Sequence, residues 1–351
     1  MQRSDIAEPS PEFAPLLEAA YGALSFQVLS VAVELGVAER LAQDGPAAAT
    51  DLAPKLGIQA VTLERLLRAL VSVGVCEELA QGTFRLTSIG EYLRPSNPAS
   101  VEPRIRLNAE IFYRLWGFLT ETVLTGEGGS VRALGLPFQQ YLVKEPKAGA
   151  VFDAAMAGEA ATRHRPAVQA YNFDRCNTIV DVGGGNGALV TEILLRYPQP
   201  NAIVFDLPRT EQSAQQTISA RGLGNRCRFV GGDAFKAVPS GADTYIFSNF
   251  LAGWGDDQAV IALRNCRRSM AADGRLLVIE WVMPTGSRNH SDFRFFDTVM
   301  RDLIMLSVFG SEGARVRTEA GFRDLLAAAQ FDLTAVIPTS GSISVIEARP
   351  V

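Results

Sequence analysis

Carboxylates placed around a run of glycines are the residues of this chain best suited to chemistry. Ile179 to Gly187 reads IVDVGGGNG, an apolar strand that feeds a glycine-rich turn. Glycines serve there because the chain reverses sharply and a ligand can approach a backbone that carries no Cβ. The turn alone does not choose its ligand, since Gly183-x-Gly185-x-x-Ala188 also satisfies the relaxed dinucleotide fingerprint. The acids discriminate. Asp181 stands inside the strand, a costly place for a carboxylate unless it meets a partner such as the ammonium of a methionine moiety. Asp206, at the end of Val204-Phe205-Asp206, is placed to accept hydrogen bonds from ribose hydroxyls. Asp233, in GGDAF, is placed to accept from an adenine amino group, with Phe235 beside the ring. A nicotinamide dinucleotide calls for only the second of these acids. Singly, Asp206 or Asp233 is as readily a helix cap or a solvated loop residue; with Asp181, at successive strand ends of one sheet, they point to a ligand crevice.

The elements that must position them are legible from Asn177 onward, where short apolar strands alternate with amphipathic helices as in a parallel α/β sheet. Strands are expected at Thr178 to Val182, Ala202 to Phe205, Arg228 to Val230, Thr244 to Phe247 and Arg275 to Glu280. Leu276 to Ile279 is apolar on both faces, as a central parallel strand should be. Helices are expected at Leu189 to Arg196, Thr210 to Ala220, Asp257 to Met270 and Thr318 to Ala329. The last two strands, Leu333 to Ile337 and Ser342 to Ala348, are joined by a link too short for a helical crossover, so the final strand must run antiparallel.

Upstream, the apolar residues from Phe13 to Leu41 recur at helical spacing on more than one face. The order then reads helix, helix and two short strands around Gln81-Gly82, which resembles a winged helix. Three regions follow: a helical winged-helix dimerisation region at 1–103, a helical connector contributing to a substrate pocket at 104–171, and a cofactor-binding α/β region at 172–351. The candidate recognition helix, Val61 to Val73, offers Arg65 and Arg68 against Glu64, and Glu77 and Glu78 lie nearby, so its neutralisation of phosphates would be weak. The net charge of −5 over 351 residues likewise gives no pull toward nucleic acid or anionic lipid. The four cysteines show no C-x-x-C pairing, which fits reduced thiols in a cytosolic chain. No apolar stretch is expected to reach bilayer-spanning length, and no metal site is expected.

Taken together, these segments resemble the winged-helix small-molecule O-methyltransferases, a family that includes plant phenylpropanoid and bacterial antibiotic-tailoring enzymes. The likeness runs from Val28 to Leu41 through Glu64 to Leu70, Leu86-Thr87, DVGGGNG, VFDLP, GGDAF, Trp254 with Asp256-Asp257, and Asp302-Leu303 with Met305. It implies a Rossmann-like class I methyltransferase domain, mostly parallel and ending in an antiparallel strand, with S-adenosylmethionine as cofactor and homodimerisation through the amino-terminal region. It implies cofactor contacts at Gly183, Asp206, Asp233, Phe235 and Ser248, to which Asp181, Gly185, Leu207 and Ala234 are added on the same strand ends. It implies an acceptor site near Phe112, Trp116, Met156, Phe250 and Met305, with Ala252 and Asp302 alongside. The family's His base falls at Ala252, and its second acid at Val316; of the catalytic set only Glu280 matches. Losing a general base removes roughly 10²- to 10⁴-fold, whereas alignment alone supplies effective molarities of about 10⁵ to 10⁸ M. The expected reaction is therefore methylation of a nitrogen or acidic oxygen on a planar aromatic metabolite, chiefly by proximity. The alternatives are a non-methylating hydroxylation, cyclisation or rearrangement in the same fold and, from another class, a winged-helix regulator. His164 and His290 are the histidines available as substitute bases.

Overall fold

The computed structural model describes residues 13–286 and 292–351. His290 lies outside the described residues. The chain divides into two compact units, one ending at Ile111 and the other beginning at Phe112. The helices from Phe112 to Ala170 therefore belong to the same unit as the large sheet.

The first unit opens with α1 (Ala14–Glu34) and α2 (Val37–Asp44), which Gly36 separates in the left-handed conformation at φ 67°. One continuous helical run thus becomes two. α1 is 21 residues long, and a window within it has a mean hydropathy of 1.5, so it is long and apolar enough to cross a membrane. That corrects the expectation that no stretch approaches spanning length; charge is scarce between Glu18 and Glu34. Leu16, Tyr21 and Leu24 of α1 are exposed in the single chain. The strand β1 (Ala47–Ala48) precedes α3 (Ala49–Leu56) and α4 (Ala60–Ser72), followed by β2 (Cys76–Glu78) and β3 (Thr83–Leu86). These strands form one antiparallel sheet in the order β1-β3-β2. Leu52, Leu63, Leu67, Leu70 and Phe84 form the buried centre of this helix–helix–hairpin arrangement, and α5 (Glu102–Leu107) closes the unit. Arg68 of α4 bonds Glu64 and Glu78, so its charge is already matched.

The second unit begins with short helices, α6 (Tyr113–Trp116), α7 (Leu119–Thr125), α8 (Ser130–Leu134) and α9 (Phe138–Lys144), and the long α10 (Pro146–Ala170). The α/β alternation follows as β4 (Thr178–Val182), α11 (Ala188–Arg196), β5 (Asn201–Asp206), α12 (Glu211–Ala220), β6 (Cys227–Gly231) and β7 (Thr244–Ser248). It continues through α13 (Asp256–Ser269), β8 (Arg275–Trp281), α14 (Phe293–Phe309), α15 (Glu319–Ala328), β9 (Phe331–Pro338) and β10 (Ile343–Pro350). The seven strands lie in the order β6-β5-β4-β7-β8-β10-β9. β10 is antiparallel to both neighbours, and the short link before it requires this of its pairing with β9. It is last along the chain yet sits inside the sheet, with β9 at the edge. Val180, Ile246, Leu277, Val278 and Val345 are fully buried, the pattern of strands covered on both faces. Strand order reverses beside β4, between β5 and β7, and in such sheets the crevice at the carboxyl ends there receives ligands. α14 is an addition to the expected elements.

Candidate functional site

The strands β4, β5, β7 and β8 are paired in parallel register, so Asp181, Asp206, Ser248 and Glu280 arrive at one edge of the sheet, and Asp233 follows β6 at the same edge. The turn after β4 is tied to β5 by Gly183 N–H donating to the Phe205 carbonyl at 2.8 Å. Gly183 has φ 75°, and a Cβ there would meet Phe250 Cδ2 at 2.4 Å. Gly185, at φ 55°, faces open space. Gly183→Ala is therefore expected to lower the melting temperature and to weaken cofactor binding at least tenfold, because a left-handed Ala costs about 1–2 kcal/mol and the Phe250 ring must also move. Thermal melts and calorimetric titration of the variant check this; wild-type values for both would contradict it.

Asp181 is buried, and its Oδ1 has no hydrogen-bond partner. Burial, reinforced by the Asp206 charge, pushes its carboxyl up to about 7. An unpartnered buried carboxylate oxygen is a ready receptor for a cation. Asp206 accepts from Gly185 N–H at 2.8 Å and from Leu207 N–H at 2.6 Å, so it holds the glycine turn against β5. Burial raises its carboxyl, and those N–H donors counter the rise. Asp233 Oδ1 accepts from Phe235 N–H at 3.0 Å, and the Ala234 carbonyl is held by Asn265 Nδ2 at 3.0 Å. Phe235 stands edge-on to Trp254, with ring centroids 4.6 Å apart, and beside Phe250 at 5.9 Å.

Glu280 is fully buried at the end of β8. Its Oε1 accepts from Ala252 N–H at 3.2 Å, and its Oε2 has no partner. Burial pushes the carboxyl up to about 7, against the Ala252 N–H and the nearby Arg317 charge. The single turn Leu251–Gly253 that carries Ala252 is clamped by Arg317, a residue sequence reasoning passed over. Its guanidinium donates to the carbonyls of Leu251 and Trp254 at 2.8 Å each, and to Asp256 Oδ1 at 2.8 and 2.9 Å. Val316 is buried, and its N–H donates to Asp302 Oδ1 at 2.8 Å. Asp302 thus ties α14 to this loop.

The acceptor residues divide. Phe112 is buried in a ring cluster with Phe138, which also meets Phe152 and Phe309. Met156, on α10, reaches the sheet edge, where Asn249 Nδ2 lies 4.0 Å from its sulfur. Trp116 and Met305 are half-buried on α6 and α14, which pack together. Phe250 touches Phe235, Phe247 and Trp254. His164 follows Met156 by roughly 12 Å along α10; burial, then Arg163, lowers it to about 3, so it is a poor proton acceptor near neutrality. The guanidiniums of Arg163 and Arg301 lie over the Trp281 ring, at 4.2 and 4.5 Å from its centroid, and the indole donates to Asp297 at 3.1 Å. Glu159 pairs with both arginines. Among the described residues no cluster of three His, Cys, Asp or Glu is disposed to hold a metal.

An O-methyltransferase domain model matches residues 116–332, more than half of the chain, and an O-methyltransferase dimerisation domain model matches residues 17–96. The chain belongs to the O-methyltransferase family. A phenazine O-methyltransferase from Lysobacter antibioticus is 38% identical over 351 residues, covering all of both chains. The crystal structure of a neocarzinostatin-biosynthesis O-methyltransferase with S-adenosylmethionine and 2-hydroxy-5-methyl naphthoic acid superposes with a TM-score of 0.76 at 30% identity, covering 93% of this chain and 96% of that one. An aclacinomycin 10-hydroxylase from Streptomyces purpurascens is 32% identical over 295 residues, covering 83% of this chain and 77% of the hydroxylase. This O-methyltransferase uses S-adenosylmethionine, and its residues fit that group: an unpartnered buried carboxylate oxygen at Asp181, open space over Gly185, and a carboxylate at the second strand end.

Proposed function

We propose that this O-methyltransferase methylates an acidic oxygen, or a nitrogen, of a planar aromatic metabolite, chiefly by holding the acceptor in line. Bound adenosylmethionine supplies a methyl group on a sulfonium. Asp181 would receive its ammonium, Asp206 its ribose, and Asp233 with Phe235 its adenine; Gly183, Gly185, Leu207, Ala234 and Ser248 line the same strand ends. Trp116, Met156, Phe250 and Met305 would flank the ring of the acceptor, with Phe112, Ala252 and Asp302 behind them. Glu280 would hydrogen-bond the acceptor.

The observation that carries this reading is the pairing at Ala252. Where the family resemblance places an imidazole, there is a methyl side chain, and the Glu280 carboxyl closes onto the Ala252 backbone N–H. With no imidazole at position 252, alignment must do most of the work. An ionised phenol or a ring nitrogen with a free lone pair needs no proton removed. Incubation with methyl-labelled adenosylmethionine and a panel of hydroxyphenazine, 3-amino-4-hydroxybenzoate and 1,4-dihydroxy-2-naphthoate tests the proposal. Labelled product with at least one member is expected; absence of transfer to all of them, or absence of cofactor binding, contradicts it.

The likeness to a hydroxylase favours one second reading, in which the cofactor is retained and no methyl leaves it. Product without label would select that reading. We further propose that the exposed apolar face of α1 pairs with a second copy, supported by the match of a dimerisation domain to this region. The neutralised Arg68 and the net charge of −5 speak against nucleic acid as a partner.

A further inference from the structure

Asn249 directly follows β7, between two residues already assigned to the site, Ser248 and Phe250. Its backbone is left-handed, with φ 53°, and its N–H donates to the Ile279 carbonyl at 3.1 Å, which fixes the residue to β8. On one side Phe250 packs against the Gly183 turn; on the other the Asn249 carboxamide reaches Met156 of α10. The carboxamide therefore lies against the proposed acceptor wall, one residue before the ring that packs on the cofactor turn. Its contact there is weak, a nitrogen 4.0 Å from a thioether sulfur. Asn249 is exposed, so the group is open to a ligand.

A left-handed position at a strand end is met at least cost by glycine. Asparagine tolerates that conformation better than most residues, but it also brings a donor and an acceptor to the mouth of the crevice. Backbone requirements alone do not call for them.

Resting on the methyl-transfer reading above, we infer that the Asn249 carboxamide hydrogen-bonds the acceptor beside its reacting atom and holds that atom in line with the methyl. Where the family's base position holds Ala252, such a contact fixes the direction of the acceptor's lone pair. For an ionised phenol the amide N–H donates to a polar group next to the reacting oxygen; for a ring nitrogen next to a carbonyl it donates to that carbonyl. Asn249 then chooses among flat acceptors by the polar group adjacent to the methylated atom.

Asn249→Gly keeps the left-handed backbone free of strain and removes only the carboxamide; Asn249→Ala removes it and adds strain. Both are compared with the wild-type chain on whichever member of the hydroxylated aromatic panel the wild type turns over fastest. The expected result is a loss of 10- to 100-fold in kcat/KM for the acceptor in both variants, with the Kd for adenosylmethionine within twofold of wild type. An Asn249→Gly variant as active as wild type overturns the inference and reduces Asn249 to a backbone role. A loss of cofactor affinity matching the loss of activity overturns it as well. Failure of the wild type itself to transfer methyl would instead strike the methyl-transfer reading, so the two failures are distinguishable.

Discussion

Replacing Asp206 with Ala is expected to weaken adenosylmethionine binding by about 10²- to 10⁴-fold. The carboxylate has two tasks. It accepts the N–H groups of Gly185 and Leu207, so it sets the turn over which the cofactor lies. In the proposed pose it also accepts from the ribose hydroxyls. Hydrogen bonds to a charged group contribute roughly 1.5–3 kcal/mol each, and two of them account for the expected range. Asp206→Asn separates the tasks, because its carboxamide oxygen can still accept one backbone N–H while its NH₂ opposes the other. It should fall between wild type and Ala. Calorimetric titration of both variants with adenosylmethionine and adenosylhomocysteine reads the effect; binding within threefold of wild type in the Ala variant would remove Asp206 from the cofactor site.

The second large effect concerns pH. Glu280 is raised from 4.5 to about 7, chiefly by burial. The folded chain therefore binds its proton more tightly than the unfolded chain does. The stability this contributes is fully present below about pH 4.5 and is lost as pH rises through 7. A shift of that size corresponds to about 3 kcal/mol. Asp181, raised from 3.8 to about 7 by burial and by Asp206, acts with the same sign. The cofactor-free protein should thus melt at progressively lower temperature between pH 5 and pH 8. Glu280→Gln keeps the shape, cannot ionise, and should flatten that slope, making the variant more stable than wild type at pH 8. Melts of wild type and variant across this range decide the matter, and parallel slopes would mean that Glu280 does not titrate there.

What the sequence discloses and what it conceals follow from the range of the interactions involved. β4 is bounded by the same residues in sequence and structure, Thr178 and Val182, because an apolar run ending in glycines is a local signal. The antiparallel sense of β10 is forced by a short link, which is also local. The place of β10 between β8 and β9 is not, since either edge of the hairpin satisfies the same pattern. α14 lies outside the expected elements although its apolar residues recur at helical spacing; its Asp292 cap, which accepts from the N–H groups of Arg294 and Phe295, is the local signal for it.

The site shows the same division. Asp181, Asp206 and Asp233 stand out because carboxylates at strand ends are conspicuous in type and spacing. Arg317 does not, since its partners at Leu251, Trp254 and Asp256 lie some sixty residues away. The two arginines over Trp281 come from α10 and α14, which no spacing rule connects. Asn249 is an ordinary residue in sequence and becomes notable only through its backbone angle and its neighbours. That Ala252 occupies the base position is legible from sequence, but that the Glu280 carboxyl turns to its backbone N–H is a fact of packing.

The most direct test is a crystal structure of the protein grown with adenosylhomocysteine. The thioether nucleoside should lie along the ends of β4, β5 and β6, its sugar against Asp206, its base between Asp233 and Phe235, and its amino group toward Asp181. Density for it elsewhere, or a crevice filled by the protein's own side chains, would contradict that placement and the chemistry built upon it.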